Sequence, residues 1–270
     1  MVKLQANYLA QSYVGGEILK ELTVGILGGM GSKATADLFS KIILNTQSQK
    51  DQDHLHIIID CNPKVPDRVS SIEKGDNAPV KYLKEMAMNL INCKADVLVI
   101  ACITAHHYIT VLQRSVDIPI MNSISMVSQF IKINYPQIKK VGLLATDATL
   151  ITKLYHKSLN KQGIHVISPE ANDQKILMEC LRAVKTEQTS ISELREKVLR
   201  IVLNLQTQGV DAIVAGCTEV PLLLNMDDFS VPFIDTTDVV AKTVVRVATG
   251  MESLDIYVEL VGDEYAGLLQ

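Results

Sequence analysis

The chain has no run of basic residues, no Cys-x-x-Cys pair, no paired metal-ligand spacing among its six histidines and five cysteines, and no apolar stretch approaching membrane-spanning length. Each absence removes a class of function. With 26 Lys and Arg against 30 Asp and Glu, a formal net charge of −4, and the cations scattered, nothing supplies the positive stripe that neutralises nucleic-acid phosphates. The histidine and cysteine spacing offers no tetrahedral ligand set, so no metal site is expected. Lys3 is followed by polar residues and Gly15-Gly16, not by the continuous apolar core of a secretory signal, and no segment reaches the ~20 apolar residues of a spanning helix. The expected location is the cytoplasm. An odd number of cysteines without a close pair suits free thiols in a reducing compartment.

What the chain does contain is a duplicated phrase. Ala95-Asp96-Val97-Leu98-Val99-Ile100-Ala101-Cys102 matches Val210-Asp211-Ala212-Ile213-Val214-Ala215-Gly216-Cys217, with the cysteines 115 positions apart (217 − 102). Thr23-Val24-Gly25-Ile26-Leu27-Gly28 matches Lys140-Val141-Gly142-Leu143-Leu144-Ala145, and Val116-Asp117-Ile118-Pro119-Ile120 matches Ser230-Val231-Pro232-Phe233-Ile234. Three correspondences in the same order indicate a duplicated α/β unit, because the period is far longer than the roughly 20–50 residues of a solenoid. Each cysteine phrase reads as an apolar strand entered by aspartate and left through a thiol and a threonine, Thr104 or Thr218. In open parallel sheets ligands bind outside the carboxyl ends of the strands, so two half-molecules are expected to present one sulfur each to a shared cleft.

Alternation of strand-like and helix-like runs predicts a parallel sheet in each half. Strands are expected at 23–28, 55–60, 96–101, 117–121, 140–145, 164–168, 211–215 and 231–234. Helices are expected at 33–48, 77–93, 105–115, 123–133, 149–162, 172–185, 190–208 and 236–248. The fold class is α/β, with two pseudo-symmetric domains: residues 1–122 with 236–270 (1–22 an N-terminal extension), and residues 123–235.

Two loops carry further chemistry. Gly28-Gly29-Met30-Gly31-Ser32 joins a strand to a helix, where backbone amides can meet an anion. Gly29 to Ala34 also satisfies a loose G-x-G-x-x-A dinucleotide pattern, which leaves a nicotinamide- or flavin-dependent enzyme as one alternative and a simple tight turn as another. The second loop runs from Asp60-Cys61-Asn62-Pro63 to Pro66-Asp67-Arg68. There Arg68 is a candidate carboxylate clamp, since guanidinium grips carboxylate bidentately; a solvated Asp67–Arg68 loop is the other reading.

These residues together resemble the aspartate/glutamate racemase superfamily, closest to its aspartate racemase branch. The resemblance rests on Gly25 to Gly31 with Ala34-Thr35, on Asn62-Pro63 through Arg68, on Cys102 with Thr104-Ala105-His106, on Gly142 to Thr146, and on Gly216-Cys217-Thr218-Glu219. It implies two α/β domains, a homodimer, and interconversion of mirror-image acidic amino acids without pyridoxal phosphate, metal or other cofactor. Cys102 and Cys217 are then the catalytic pair, one a thiolate base and one a thiol acid, assisted by the dipoles of helices beginning just after them. Met30, Thr104, Thr146 and Thr218 are implied substrate contacts, with Arg68 and Lys185 holding the side-chain carboxylate and Glu219 polarising the site or complementing a helix start. His106 is expected to be structural and His107 to face elsewhere. Ile103 departs from the pattern, standing where asparagine is usual, and Ser32 and Ala148 stand where proline and glycine are common. The loss of an amide at 103 points to a shifted acid preference, or to a silent protein that binds acidic ligands without turnover.

Overall fold

The structure is a computed structural model describing residues 13–14, 17–18, 21–186, 189–225, 227 and 229–258. Of the N-terminal extension it describes the short antiparallel pair β1 (Tyr13–Val14) and β2 (Glu17–Ile18) and the approach to β3; the tail from 259 lies outside the described residues.

The first half runs β3 (Val24–Gly28), α1 (Ser32–Asn45), β4 (Ile57–Cys61), α2 (Arg68–Lys74), α3 (Ala78–Asn92), β5 (Val97–Ile100), α4 (Ile109–Gln113) and β6 (Ile120–Met121). After the connecting helix α5 (Ser123–Asn134) the second half runs β7 (Lys140–Leu144), α6 (Asp147–Ile151), α7 (Leu154–Asn160), β8 (His165–Ile167), α8 (Ala171–Thr186), α9 (Ile191–Thr207), β9 (Ala212–Ala215), β10 (Phe233–Asp235) and α10 (Thr236–Ala248). The strands form two four-stranded parallel sheets ordered β4-β3-β5-β6 and β8-β7-β9-β10. These orders are the same order, shifted by one duplication.

The repeated residues have repeated jobs. Asp96 accepts from the Thr23 amide at 2.8 Å, and Asp211 accepts from the Lys139 and Lys140 amides at 2.8 Å. The aspartate entering each cysteine strand thereby pins the start of the neighbouring central strand. Strand residues Val97 to Ile100 and Ala212 to Ala215 are buried, as expected of strands covered by helices on both faces. Helices supply their cover at i, i+3 and i, i+4 spacing, with Ala34, Leu38 and Ile42 on α1 and Leu194, Val198, Val202 and Leu205 on α9 all buried; each buried leucine, isoleucine or valine contributes roughly 1.5–3 kcal/mol.

The last helix of each unit crosses to the other. Asn122 caps α5, its Oδ1 accepting from Ile124 N, and Asp235 caps α10 in the same way at Thr237 N. Yet α5 packs on α7, while α10 packs on α1. Lys41 of α1 reaches Asp235 at 2.8 Å, and Leu22 donates to Ala248 at 2.9 Å. Beyond α10, Tyr257 O accepts from Asn122 N and Val258 bridges Met121.

Three expectations need correction. The expected helix 105–115 is a 3-10 turn, Thr104–Tyr108, followed by the short α4, and the expected helix 149–162 breaks at Lys153, whose φ is +56°. The segment after Pro66, read as loop, becomes α2 because Asp67 caps it, Oδ1 accepting from Ser70 N at 2.8 Å.

Candidate functional site between the two halves

Each half presents its loops at the carboxyl ends of equivalent strands. Met30 follows β3 and Thr146 follows β7; Cys102 follows β5 and Cys217 follows β9. The structure brings Met30, Arg68, Cys102, Thr104, Thr146, Lys185, Cys217, Thr218 and Glu219 to one cavity of about 20 Å3. Asp67, Val69 and Ile103 complete its wall. That volume, about 20 Å3, holds one or two waters, at ~10–15 Å3 each, and is too small for an amino acid without movement of its wall.

Glycine makes the first loop. Gly29 adopts φ +87°, and a Cβ there would lie 2.4 Å from the Asn62 carbonyl carbon. A Cβ at Gly28 would strike Thr35 at 2.4 Å, and Thr35 Oγ1 accepts from the Gly29 amide at 2.9 Å. The chain's own atoms thus fill the space above the glycines, which supports the tight-turn reading over the dinucleotide one. Met30 lies behind the turn, 1 % exposed, and its carbonyl accepts from Arg68 Nη2 at 3.1 Å.

Arg68 does not sit in an open loop, as the sequence suggested. It is the first residue of α2 and is buried. Nη1 donates to Val65 O at 3.1 Å and Pro66 O at 3.0 Å, while the buried Nε–H has no acceptor. Three carbonyls hold the guanidinium in place without neutralising it.

Lys185 reaches the cavity from the last turn of α8, where a cation complements the helix dipole. Its Nζ lies 3.4 Å from Glu219 Oε1, an ion pair whose geometry leaves that buried oxygen without a hydrogen bond. Burial penalises the ammonium, but Glu219 and the two cysteines outweigh it and the Lys185 pKa rises.

The two sulfurs have different surroundings. Cys217 Sγ donates to Glu219 Oε2 at 2.9 Å; burial first, and then the Glu219 charge, push its pKa well above the usual thiol value, while Lys185 pulls it down. In the first half Thr104 occupies the place two residues after the cysteine, so no matching carboxylate stands there. The helix dipoles expected beside the sulfurs are also small. Only the 3-10 turn Val220–Leu222 follows Cys217 and a 3-10 turn follows Cys102, so local side chains dominate.

Below Cys102, His106 Nε2 accepts from the Ser123 amide at 3.1 Å, which leaves Nδ1 to donate to Cys102 O at 2.9 Å. Burial lowers its pKa to about 4 despite those bonds, so it is a neutral structural residue. Across the cleft Thr104 Oγ1 meets Thr146 Oγ1 at 3.0 Å and Thr149 Oγ1 at 3.3 Å. Thr149 joins this cluster, and in the sequence only its place one turn after Thr146 points to it. The cavity also contains Ile103, 3 % exposed and continuous with the apolar core.

Comparison with known proteins agrees with this geometry. Residues 27–244 match the family described as Asp/Glu/Hydantoin racemase. The chain is 27% identical over 237 residues to the broad specificity amino-acid racemase RacX of Bacillus subtilis, covering 85% of this chain and 100% of that one. It is 29% identical to a glutamate racemase of Aquifex aeolicus over 66% of this chain and 69% of the relative. The solved structure of Picrophilus torridus aspartate racemase superposes with TM-score 0.73 at 28% identity, over 84% of this chain and 94% of that one. With paired cysteines at one inter-domain cavity and a family match spanning most of its length, the chain belongs to the Asp/Glu/hydantoin racemase family.

Proposed function

We propose that the protein is a cofactor-independent racemase of aspartate or a closely related acidic amino acid, working by two-base proton transfer between Cys102 and Cys217. The observation that carries this reading is that both sulfurs line one cavity together with Arg68 and Lys185. Removing an α-proton from one face of a carbon and returning one to the other requires two groups on opposite sides. In one direction the Cys102 thiolate takes the α-proton, the Cα–H bond breaking as S–H forms, and the resulting carbanion takes a proton from the Cys217 thiol. Cys217 is suited to start as the acid because its raised pKa keeps it protonated. In the other direction the roles exchange: Glu219 Oε2, already bonded to the Cys217 thiol, receives its proton, the resulting thiolate takes the α-proton, and the carbanion takes a proton from the Cys102 thiol.

Binding follows from the polar groups that line the cavity. A side-chain carboxylate supplies the acceptor that Arg68 Nε lacks and the anion that its carbonyl cradle does not. The substrate ammonium supplies a donor to Glu219 Oε1, and the hydroxyls of Thr104, Thr146 and Thr218 face the α-carboxylate. A broader acid preference is a second reading, favoured by the apolar wall of Met30, Val69 and Ile103 and by the likeness to a broad specificity racemase.

Incubating each enantiomer of aspartate and glutamate in deuterated solvent tests the proposal. The expected result is α-deuterium incorporation with inversion, reduced ~10²–10⁴-fold by Cys102→Ser and by Cys217→Ser. Exchange in none of the four substrates overturns the acid assignment; undiminished racemisation in both variants overturns the mechanism.

A further inference from the structure

A second cavity, of about 640 Å3, is walled by His106, α4, α5, α7 and the chain up to Val258. Its size is that of a pocket for a small organic ligand. The two cavities are joined by one side chain: His106 lines the larger and holds the Cys102 carbonyl of the smaller.

The charge of the larger cavity has one sign. Among the described residues Lys157 and Lys161 line it and no carboxylate does. Among the described residues neither lysine is ion-paired, although ion pairs of the other helices are numerous. Burial first, and then the nearby Lys157 charge, hold His107 below the usual imidazole range, so the positive charge of this wall comes from the two lysines. Hydroxyl and amide groups fill much of the remaining wall. Among them Ser128 of α5 is 1 % exposed, and its Oγ has no hydrogen-bond partner. A buried hydroxyl left unsatisfied in a polar cavity calls for a ligand or water, while the apolar Ile109 and Leu154 suit the carbon frame of an organic molecule.

We propose that this cavity is an effector site for a small multivalent organic anion. Its phosphate or carboxylate groups lie against Lys157 and Lys161, and a polar atom of its body satisfies Ser128. Lysine provides point charges without the planar fork of arginine, which fits an anion of several charges better than one bidentate carboxylate. Because α5 begins at Ser123, whose amide is held by His106, occupancy between α5 and α7 bears on the segment that carries Cys102.

Calorimetry on the full chain at low salt tests the site without reference to racemisation, so its failure is distinct from failure of the racemase reading. Inorganic pyrophosphate and citrate are titrated in separate arms, to separate phosphate from polycarboxylate ligands. The expected result is saturable binding of at least one, weakened tenfold or more in the Lys157→Glu, Lys161→Glu double variant and unchanged in Arg68→Gln. Binding of neither anion overturns the proposal, as does binding that survives the double variant or is lost in Arg68→Gln. Hydrogen exchange of peptides covering 103–108 is expected to slow on binding; unchanged exchange overturns the link to Cys102.

Discussion

Cys217 donates its thiol hydrogen to the Glu219 carboxylate across 2.9 Å, two residues along the same chain. The pair is asymmetric with respect to the duplication, since Thr104 stands where Glu219 would be in the first half. Pseudo-symmetry therefore delivers two sulfurs to one cavity, and a single departure from symmetry places a carboxylate against only one of them.

Glu219→Gln tests that asymmetry. Removing the carboxylate charge removes a contribution that raises the Cys217 pKa, so Cys217 is expected to react with iodoacetamide at lower pH than in the wild type, although burial keeps it above an ordinary thiol. Peptide-resolved alkylation across a pH series reads the shift directly. A Cys217 profile that moves upward contradicts the electrostatic role given to Glu219.

His106 predicts an acid sensitivity. Its folded pKa, about 4, lies below the unfolded value of about 6.5, so the stability it contributes is complete above the unfolded value and is lost as pH falls towards 4. The full difference is on the order of 3 kcal/mol. Urea midpoints between pH 7 and 4.5 are expected to fall more steeply for the wild type than for His106→Gln, and parallel slopes refute the assignment.

Thr149→Val removes one hydroxyl from the cluster with Thr104 and Thr146 while keeping the shape. Leaving buried partners unsatisfied costs about 1–3 kcal/mol. The expected outcome is a lower melting temperature together with a raised KM, because Thr149 positions Thr104 and Thr146, which line the cavity and in the proposed reaction hold the α-carboxylate. Unaltered stability and unaltered KM show that Thr149 has no part in it.

Ile103→Asn separates packing from recognition. Ile103 is part of the apolar core as well as the cavity wall, so the amide is expected to lower stability by about 1–3 kcal/mol where it is not hydrogen-bonded. In the cavity it adds a polar contact, and kcat/KM for aspartate relative to larger acidic amino acids is expected to rise by about tenfold. An unchanged ratio means that position 103 does not set the preference.

Much of the fold is legible in the chain because its cues are local. Asp96 and Asp211 mark two equivalent strands, Gly25 and Gly142 mark their central neighbours, and both sheets follow the same strand order. The helix α2 is hidden in the sequence because Pro63 and Pro66 signal a loop, whereas the cap that starts it is the single side chain of Asp67. The turns after Cys102 and Cys217 are 3-10 rather than α-helical, a difference that apolar spacing does not encode because the first turn of either helix has the same pattern.

The sequence alone determined the duplication, the two parallel sheets and the identity of the paired cysteines, since strand periodicity and repeated phrases depend only on neighbours along the chain. Tertiary structure decided the rest. That Arg68 is buried in a cradle of carbonyls, that Thr104 meets Thr149, and that Lys157, Lys161 and Ser128 share a second cavity are contacts between distant segments. Their energies depend on distances of a few ångströms and on exclusion of water, and both exist only once the two halves have packed.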